Sequence, residues 1–424
     1  MSLTKVTFSM TSGAPVNVFD FGAVGDGVTD DSVAINAAIT YAYNASTVAN
    51  GKQVGGVVYF PKGRYLINST LNIGPGITIV GEPSGLDPIY AYPNQSASGS
   101  EIIVSNLMPL NASGTSAAFT MTNGGPITIQ DIGITGTATV TNSTALFTGN
   151  GVASAPGLSQ GHFSNVRFTA FTTVFLGASI ADSTFYDCGF ESNVVCFQAI
   201  TATYQNFNSI KFVGCIFFAG TSSVFTIPAG SVAQGILMSA CIFQDQIGGG
   251  INMNGFNCYG TLEDVSITGC WFYGNSGTFA FSLLSNTANI VNISFTGNTL
   301  RNTNVVSFNN LGAGVQCYYF NCTGNVLTSS NFNTAYSINN VVFSNNTLRA
   351  TSTFTASSLN NLVINGNDFS QCSVNPPIVL TDVFTRVSIS NNIFANAVTS
   401  IPINSGSTKT KMIGNVYFSD VLMP

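Results

Sequence analysis

The sequence predicts an all-β fold, a parallel β-helix solenoid, and the first observation behind this prediction is a repeated segment. From about residue 185 onward, short stretches of alternating apolar residues lead into a Gly/Asn turn. A Cys or Asn follows, with an apolar residue two places later. Successive Cys/Asn positions lie 21 to 29 residues apart. A strand-bearing repeat of this length is typical of coils that stack on one another and bury a shared core.

The second observation is that aligning the repeats gives three columns of side chains. The Cys/Asn column is Cys188, Cys215, Cys241, Cys270, Asn298, Asn325, Asn346, Asn367, Asn392 and Asn415. Two places later stand Phe190, Phe217, Phe243, Phe272, Leu300, Leu327, Leu348, Phe369, Phe394 and Tyr417. Three places earlier stand Phe185, Phe212, Met238, Ile267, Phe295, Cys322, Phe343, Ile364, Ile389 and Met412. At about 4.8 Å per coil, we expect the apolar columns to form the core. The asparagines should hydrogen-bond from coil to coil, and the cysteines should act as small buried side chains.

The third observation is how few charges the chain carries. It has 11 Lys+Arg and 17 Asp+Glu in 424 residues, a formal net charge of -6. This balance argues against a nucleic-acid partner, which requires clustered basic residues. No apolar run approaches the roughly 20 residues of a membrane span, and the N-terminus lacks the apolar region of a secretory signal. We therefore expect a soluble protein made in a cytoplasm. Nine cysteines without paired spacing predict no metal site, and we expect no cofactor.

The stretch "NVFDFGAVGDGVTDDSVAINAAI" collects aspartates and glycines near the N-terminus. We interpret Asp20, Asp26, Asp30 and Asp31 as turn and cap residues rather than as catalytic groups. A short amphipathic helix is predicted near residues 31–43. Its apolar face would be Ile35, Ala38, Ile39 and Ala42. Such a helix would cover the open end of the β-helix, where backbone groups would otherwise be unpaired.

The stretch "FDFGAVGDGVTDDSVAINAAI", followed by "GGVVYFPKGRYLI", resembles the start of the pectate-lyase-like superfamily. That superfamily includes polygalacturonases, pectate-lyase-3-type proteins and many bacteriophage tailspikes. The resemblance covers about Asn17 to Pro83, and it implies a right-handed, single-stranded parallel β-helix. It also implies that this motif forms the cap and first coils rather than a catalytic groove.

The segment "MSLTKVTFSMTSGAPVNV" resembles the short region that precedes the β-helix in phage tailspikes. The resemblance implies an N-terminal arm, residues 1–18, that attaches to other phage tail proteins, and a β-helix domain, residues 19–424. It further implies a homotrimer in the virion tail that recognises host surface polysaccharide or lipopolysaccharide, with or without cleaving it. The alternative is a free polysaccharide-degrading glycosidase or lyase of the same superfamily.

Two carboxylates are candidates for catalysis. Glu191 follows Cys188 by three places and Asp245 follows Cys241 by four, so both follow the same strand two coils apart. The expected separation is roughly 10 Å, slightly more than the roughly 6.5–9.5 Å of an inverting glycosidase pair. The alternative is that both are solvated or turn-capping carboxylates. The sequence has no Asn-Thr-Asp, Gly-His-Gly or Arg-Ile-Lys signature, which argues against polygalacturonase chemistry.

Aromatic residues form the candidate sugar-binding group. Trp271, the only tryptophan, could stack on sugar rings together with Tyr273 and Tyr259. The alternative is burial in the core or in a subunit interface. The place after the Cys/Asn column holds an apolar stripe, which we expect to be buried against copies of the chain in the trimer. Its members are Ile216, Ile242, Trp271, Val326, Ile393 and Val416.

Overall fold

The computed structural model describes residues 14–45, 48–49, 52–53, 55–83, 99–110, 114–121, 124–136, 143–148, 157–177, 179–199, 207–244, 254–284, 288–308, 316–334, 338–356, 359–374, 377–380, 385–394 and 410–417. The chain divides into two compact units. The first is 1–201 with 208–218, and the second is 202–207 with 219–424. Each unit consists of short parallel strands wound into coils. The predicted right-handed parallel β-helix is thereby confirmed.

The strands up to residue 218 are short and mostly parallel. They are Val16–Asn17, Asp26–Asp30, Val48–Ala49, Lys52–Gln53, Val57–Tyr59, Gly63–Ile67, Leu71–Ile73, Thr78–Val80, Ser100–Val104, Ser116–Met121, Thr128–Thr135, Ser143–Thr148, Leu158–Ser159, His162–Thr169, Thr173–Gly177, Ile180–Ala181, Thr184–Tyr186, Gly189–Glu191, Val195–Ala199, Phe207–Asn208, Lys211–Val213 and Ile216–Phe218. The two strands between residues 48 and 53 form a small antiparallel pair.

The strands beyond residue 218 repeat the same pattern. They are Ser223–Ile227, Val232–Gln234, Leu237–Ser239, Ile242–Gln244, Asn254–Cys258, Thr261–Thr268, Trp271–Leu283, Asn289–Thr296, Thr299–Phe308, Gln316–Thr323, Val326–Thr328, Phe332–Thr334, Ile338–Ser344, Thr347–Ala350, Phe354–Ala356, Leu359–Asn365, Asp368–Cys372, Ile378–Leu380, Val387–Ser390, Ile393–Phe394, Thr410–Ile413 and Val416–Tyr417.

The first unit has a core of stacked phenylalanines. Phe185 lies between Phe163 and Phe212, with ring centroids 4.6 and 4.8 Å away and rings nearly parallel. Phe175 stacks on Phe197 in the same manner at 4.9 Å. The ring spacing equals the spacing of hydrogen-bonded strands, so backbone pairing and side-chain stacking support each other in every coil.

The strand pairing of the second unit confirms most positions of the predicted columns. Phe272 pairs with Leu300 in the neighbouring coil and Leu300 with Leu327, while Ile267 pairs with Phe295. These side chains are buried. The predicted column ends differently at the last described coil, where Met412 is 42% exposed. Phe369 also departs from the simple register, because the strand pairing shifts at that coil.

A ladder of asparagines runs through the second unit, buried except for its half-buried last member. The side-chain oxygen of each member after the first accepts hydrogen bonds from the backbone N–H and the side-chain amide of the preceding member, at 2.8–3.1 Å. Its own amide nitrogen also donates to a backbone carbonyl. The members are Asn298, Asn325, Asn346, Asn367, Asn392 and Asn415. The predicted coil-to-coil hydrogen bonding is confirmed.

Cysteines hold the earlier positions of the predicted Cys/Asn column, two in the first unit and two in the second. Cys188, Cys215, Cys241 and Cys270 are buried and carry free thiols. The thiol of Cys188 donates to the carbonyl of Tyr186, two residues earlier. At the start of the ladder, the backbone N–H of Cys270 donates to the side-chain oxygen of Asn298. The interpretation of these cysteines as small buried side chains is confirmed.

The N-terminal aspartates organise the backbone that leads into the first coils. The Asp31 carboxylate accepts from the N–H groups of Val24 and Gly25 at 2.7 and 3.1 Å. The same side chain is buried, and burial raises its pKa above the usual value despite these bonds. The Asp26 carboxylate closes a turn by accepting from the backbone N–H groups of Thr29 and Val28, which lowers its pKa. These aspartates hold the turns of the cap, as the sequence predicted.

The capping helix spans Ser32–Ala45. Its first backbone N–H, that of Ser32, donates to the side chain of Asp30 at 3.0 Å, which satisfies one of the free donors at a helix start. The predicted apolar face is buried; it consists of Ile35, Ala38, Ile39 and Ala42. Among the described residues, no helix has the length and apolar character needed to cross a membrane.

Two sets of residues with left-handed backbone mark where the coils of the second unit bend. The first bend holds Gly235, Asp264, Asn292, Tyr319, Asn340 and Asn361. The second bend, beside the ladder, holds Gly269, Gly297, Gly324, Asn345, Gly366 and Asn391. Glycine and asparagine adopt this conformation most readily, and they account for most of both sets. The strands on either side of these bends carry the surfaces described below.

The division at residue 18 stays a prediction. Val16–Asn17 already forms a parallel strand that pairs with Val58 and Tyr59. Residues 1–13 of the predicted arm lie outside the described residues.

Candidate functional site

The strand Trp271–Leu283 begins with side chains that alternate between surface and core. Trp271 is 38% exposed, Phe272 is 2% exposed, and Tyr273 is half-buried. Successive side chains of a strand point to opposite faces. The burial of Phe272 therefore sends the two flanking aromatic rings to the outer surface of the coil.

Trp271 and Tyr273 form a paired aromatic surface. Their ring centroids are 5.9 Å apart, with planes inclined by only 20°. Arg301 belongs to the next coil, where it pairs in register with Tyr273. Its guanidinium carbon lies 5.3 Å from the centre of the Tyr273 ring, within the range of a cation–π interaction. Two rings and one guanidinium thus share one outer face.

The same column continues for two more coils. Arg301 pairs with Thr328, and Thr328 pairs with Arg349. Both arginines are exposed. We call the surface formed by Trp271, Tyr273, Arg301, Thr328 and Arg349 the aromatic–arginine face. Because each coil adds about 4.8 Å, Tyr273 and Arg349 lie about 14 Å apart along the column.

Tyr259 occupies another part of the coil. It lies in the turn between the strands Asn254–Cys258 and Thr261–Thr268 and is 38% exposed. Its backbone N–H donates to the carbonyl of Ile227. Trp271 instead follows the bend at Gly269. Of the three predicted aromatic residues, the structure therefore brings two together and places the third at a different bend.

The predicted catalytic pair stays a prediction. Glu191 is 6% exposed and forms an ion pair with Arg167. Its second carboxylate oxygen, Oε1, is buried without a hydrogen-bond partner among the described residues. Asp245 lies outside the described residues.

A second ion pair lies on the same sheet of the first unit, and sequence reasoning did not single it out. Arg64 contacts Glu101 at 3.0 Å, and the Thr135 hydroxyl donates to the other oxygen of that carboxylate at 2.7 Å. Glu101 is 9% exposed. Gly133 stands between the two pairs, in register with both Glu101 and Arg167. Both glutamates are thus tied to neighbouring coils by an arginine.

The predicted apolar stripe divides between buried and exposed members. Ile216, in the first unit, is buried at 9% exposure. In the second unit Ile242 pairs with Trp271, and Ile393 pairs with Val416. Ile393 and Val416 are 36% and 51% exposed. The trimer interface stays a prediction. The exposed side chains of Ile393 and Val416 are the part of the stripe that a partner subunit would cover.

A known family matches slightly less than half of the chain. Residues 15–215 match the family described as "Rhamnogalacturonase A/epimerase, pectate lyase-like". The predicted resemblance to the pectate-lyase-like right-handed β-helix superfamily is confirmed by this match and by the fold.

Curated relatives match over short segments. "Mannuronan C5-epimerase AlgE5" of Azotobacter vinelandii is 43% identical over 76 residues, which cover 16% of this chain and 7% of that protein. "Non-secreted LysM effector LysM19" of Penicillium expansum is 40% identical over 76 residues, which cover 18% of this chain and 6% of that protein. The chain therefore spans less than a tenth of the length of either relative.

Among solved structures, the A-module of mannuronan C-5 epimerase AlgE6 from Azotobacter vinelandii superimposes with a TM-score of 0.55. The superposition covers 95% of this chain and 99% of that one, at 16% sequence identity. A likeness at this identity shows that the two chains share the β-helix fold.

Proposed function

We propose that this chain is a phage tailspike-type receptor-binding protein that recognises host surface polysaccharide or lipopolysaccharide. The observation that carries the proposal is the aromatic–arginine face. Trp271 and Tyr273 lie on the same face of one strand, and Arg301 and Arg349 follow Tyr273 along its column. Trp271 and both arginines are exposed, and Tyr273 is half-buried.

The paired rings supply a platform for sugar. The ring face of a pyranose is lined by C–H groups, and an aromatic surface that is apolar yet partly wet can cover it without desolvating the hydroxyls. Trp271 and Tyr273 present two rings inclined by 20°. Because both start from one strand next to the buried Phe272, they are held in place before ligand arrives, which lowers the entropic cost of binding.

The arginines favour acidic sugar units. A guanidinium matches the planar geometry of a carboxylate and can bind both of its oxygens. Arg301 and Arg349 lie on one column, two coils apart, a separation of about 10 Å. The whole chain has only 11 Lys+Arg, and two of these arginines lie on the column of Tyr273. They give the aromatic–arginine face a positive character, which Asp368 in the coil after Arg349 reduces.

The assembly follows from the tailspike resemblance. The segment "SGAPVNV" supports an N-terminal arm that docks into another tail protein, which would place the chain in the virion tail. The exposed Ile393 and Val416 on one column support a homotrimer whose subunits meet along the coils. An exposed apolar column is costly in water unless a partner covers it.

A second candidate function is polysaccharide cleavage or epimerisation. It is favoured by the names of relatives, which include mannuronan C5-epimerases and "Alginate lyase 7" of Azotobacter vinelandii. Incubation with mannuronan or lipopolysaccharide separates the candidates: new reducing ends and unsaturated uronates report cleavage, and proton NMR of the uronate composition reports epimerisation, which leaves the chain uncut. Retained binding without products supports a receptor-binding protein, whereas turnover favours the enzyme.

Replacing Trp271 with alanine is expected to weaken binding of the chain to mannuronan or bacterial lipopolysaccharide by about tenfold or more. A buried aromatic contact at the centre of an interface commonly contributes about 2 kcal/mol, and 1.4 kcal/mol corresponds to a factor of ten. Calorimetric titration of both polysaccharides measures the effect. Arg301→Gln should weaken mannuronan binding less and should reduce its dependence on salt, because an exposed charge interaction is screened.

The matched control is Tyr186→Ala, which removes an exposed aromatic ring from the first unit. It should change affinity less than twofold. Equal losses in Trp271→Ala and Tyr186→Ala would assign binding to a surface other than the aromatic–arginine face. Absence of binding to every polysaccharide tested would refute the proposed function.

A further inference from the structure

The first bend of the second unit forms an open groove of about 640 Å³ on the outer surface. Four residues with left-handed backbone line it: Asp264, Asn292, Tyr319 and Asn340. They belong to four successive coils, so the groove extends about 14 Å along the stacking direction. It lies at a different bend from the one that Trp271 follows, and none of its lining residues belongs to the aromatic–arginine face.

Tyr319 is the unusual member of this bend. Its backbone has φ +56°, and its side chain is 60% exposed. The equivalent positions in the adjacent coils are Asn292 and Asn340, a residue type that tolerates this conformation well. Among the described non-glycine residues with positive φ, Tyr319 is the only aromatic one. A bulky residue held in a strained backbone, with its ring left in water, is typical of a functional position.

Hydrogen bonds to neighbouring coils hold the Asp264 carboxylate of the groove in place. One oxygen of the Asp264 carboxylate accepts from the side-chain amide of Asn292 at 2.6 Å. The other oxygen accepts from the side-chain amide of Gln234 at 3.0 Å. These two bonds lower the pKa of Asp264, which keeps it a carboxylate and hence purely an acceptor. Each oxygen retains a lone pair for a ligand donor.

The strand next to the bend adds further polar groups. The positions that pair across the coils are Ser266, Ser294 and Asn321, followed by the exposed Val342. Serine hydroxyls and asparagine amides both donate and accept hydrogen bonds. Among the described residues lining the groove, none is lysine or arginine. The charged group there is Asp264, so the groove disfavours anions and suits hydroxyl groups that donate.

We infer that this groove is a second carbohydrate-binding site that takes an uncharged sugar unit. Tyr319 covers the C–H face of the sugar, and Asp264 accepts hydrogen bonds from its hydroxyls. The inference rests on the proposed function, since it assigns a neutral unit of a surface polysaccharide to the groove and an acidic unit to the aromatic–arginine face.

The test uses Tyr319→Asn, which introduces the residue type found at the same bend in both adjacent coils. The folded state should keep or gain thermal stability, because asparagine relieves the backbone strain. Binding is measured by saturation-transfer NMR with a panel of methyl glycosides: glucose, galactose, mannose, rhamnose and N-acetylglucosamine. We expect at least one glycoside to bind the unaltered chain, and its affinity to fall about tenfold in the variant.

The matched control is Val363→Ala, which alters an exposed side chain one coil beyond Val342 in the same column. It should change glycoside affinity less than twofold. Failure of every glycoside to bind, or equal affinity in the unaltered chain and Tyr319→Asn, would overturn the inference. Mannuronan titrations on the same samples report on the aromatic–arginine face. Suppose that Tyr319→Asn loses glycoside binding while the unaltered chain does not bind mannuronan. That result would support the carbohydrate site in the groove and would contradict the acidic specificity proposed for the aromatic–arginine face.

Discussion

Replacing Phe272 with alanine is expected to lower the free energy of unfolding by about 3–5 kcal/mol, the usual cost of truncating a buried aromatic ring. Phe272 is 2% exposed and stacks on Phe243, with ring centroids 4.4 Å apart and planes inclined by 1°. Phe295 packs against it at 5.6 Å. Backbone pairing fixes the coil spacing, so the neighbours cannot move along the stack to fill the cavity. Equilibrium denaturation followed by circular dichroism measures the loss.

The adjacent residue supplies the control. Trp271→Ala removes a larger side chain, but one that is 38% exposed on the opposite face of the strand. Its effect on unfolding should remain below about 1 kcal/mol, as for most surface substitutions. Phe272→Ala should therefore be the more destabilising change, although Trp271→Ala should be the one that reduces polysaccharide binding. Similar unfolding costs for the two variants would contradict the assigned strand alternation.

Asn346→Ala is expected to cost a similar amount, about 2–6 kcal/mol. The side-chain oxygen of Asn346 accepts from both the backbone N–H and the side-chain amide of Asn325, at 2.9 and 3.0 Å. Alanine would leave the buried backbone N–H of Asn325 unpaired. It would also remove one acceptor of the Asn325 side-chain amide, which still donates to the carbonyl of Phe295, and each lost partner costs about 1–3 kcal/mol. It would also remove the donors to the carbonyl of Cys322 and to the side-chain oxygen of Asn367.

An exposed asparagine tests whether burial makes the difference. Asn360 also bonds to an asparagine of the neighbouring coil, its amide donating to Asn339 at 2.8 Å, but this bond is exposed to water. Asn360→Ala should cost less than about 1 kcal/mol, because water replaces the lost partner. Denaturation of Asn346→Ala and Asn360→Ala under the same conditions makes the comparison. An equal cost for both would show that the ladder contributes no more than surface hydrogen bonds.

The core could be predicted from the sequence because every coil places a similar side chain at the same position of the repeat. Phe272 and Asn346 belong to columns that recur every two dozen or so residues, and each slot has one physical requirement. The N-terminal cap could also be predicted from the sequence. Asp31 lies beside glycine turns and an amphipathic stretch, which is the pattern of a helix start.

The surfaces were harder to predict because they depend on register between coils of unequal length. Arg301 lies 28 residues after Tyr273, and only the strand pairing shows that they share a column. The sequence makes Glu191 a candidate catalytic carboxylate but gives no sign of its ion pair with Arg167, one coil earlier, or of its 6% exposure. Tyr319 shares the left-handed backbone of its neighbours Asn292 and Asn340 and differs from them in its bulky ring. The sequence shows the tyrosine but not the backbone conformation that makes it unusual.

The most direct measurement of the proposed function uses tryptophan fluorescence. Trp271 is the only tryptophan in the chain, so its emission reports on the aromatic–arginine face alone. Titration with a polysaccharide that binds by calorimetry should shift the emission to shorter wavelength as sugar displaces water from the indole. The fluorescence midpoint should agree with the calorimetric affinity. An unchanged spectrum when the protein is saturated would contradict the assignment of glycan recognition to this face.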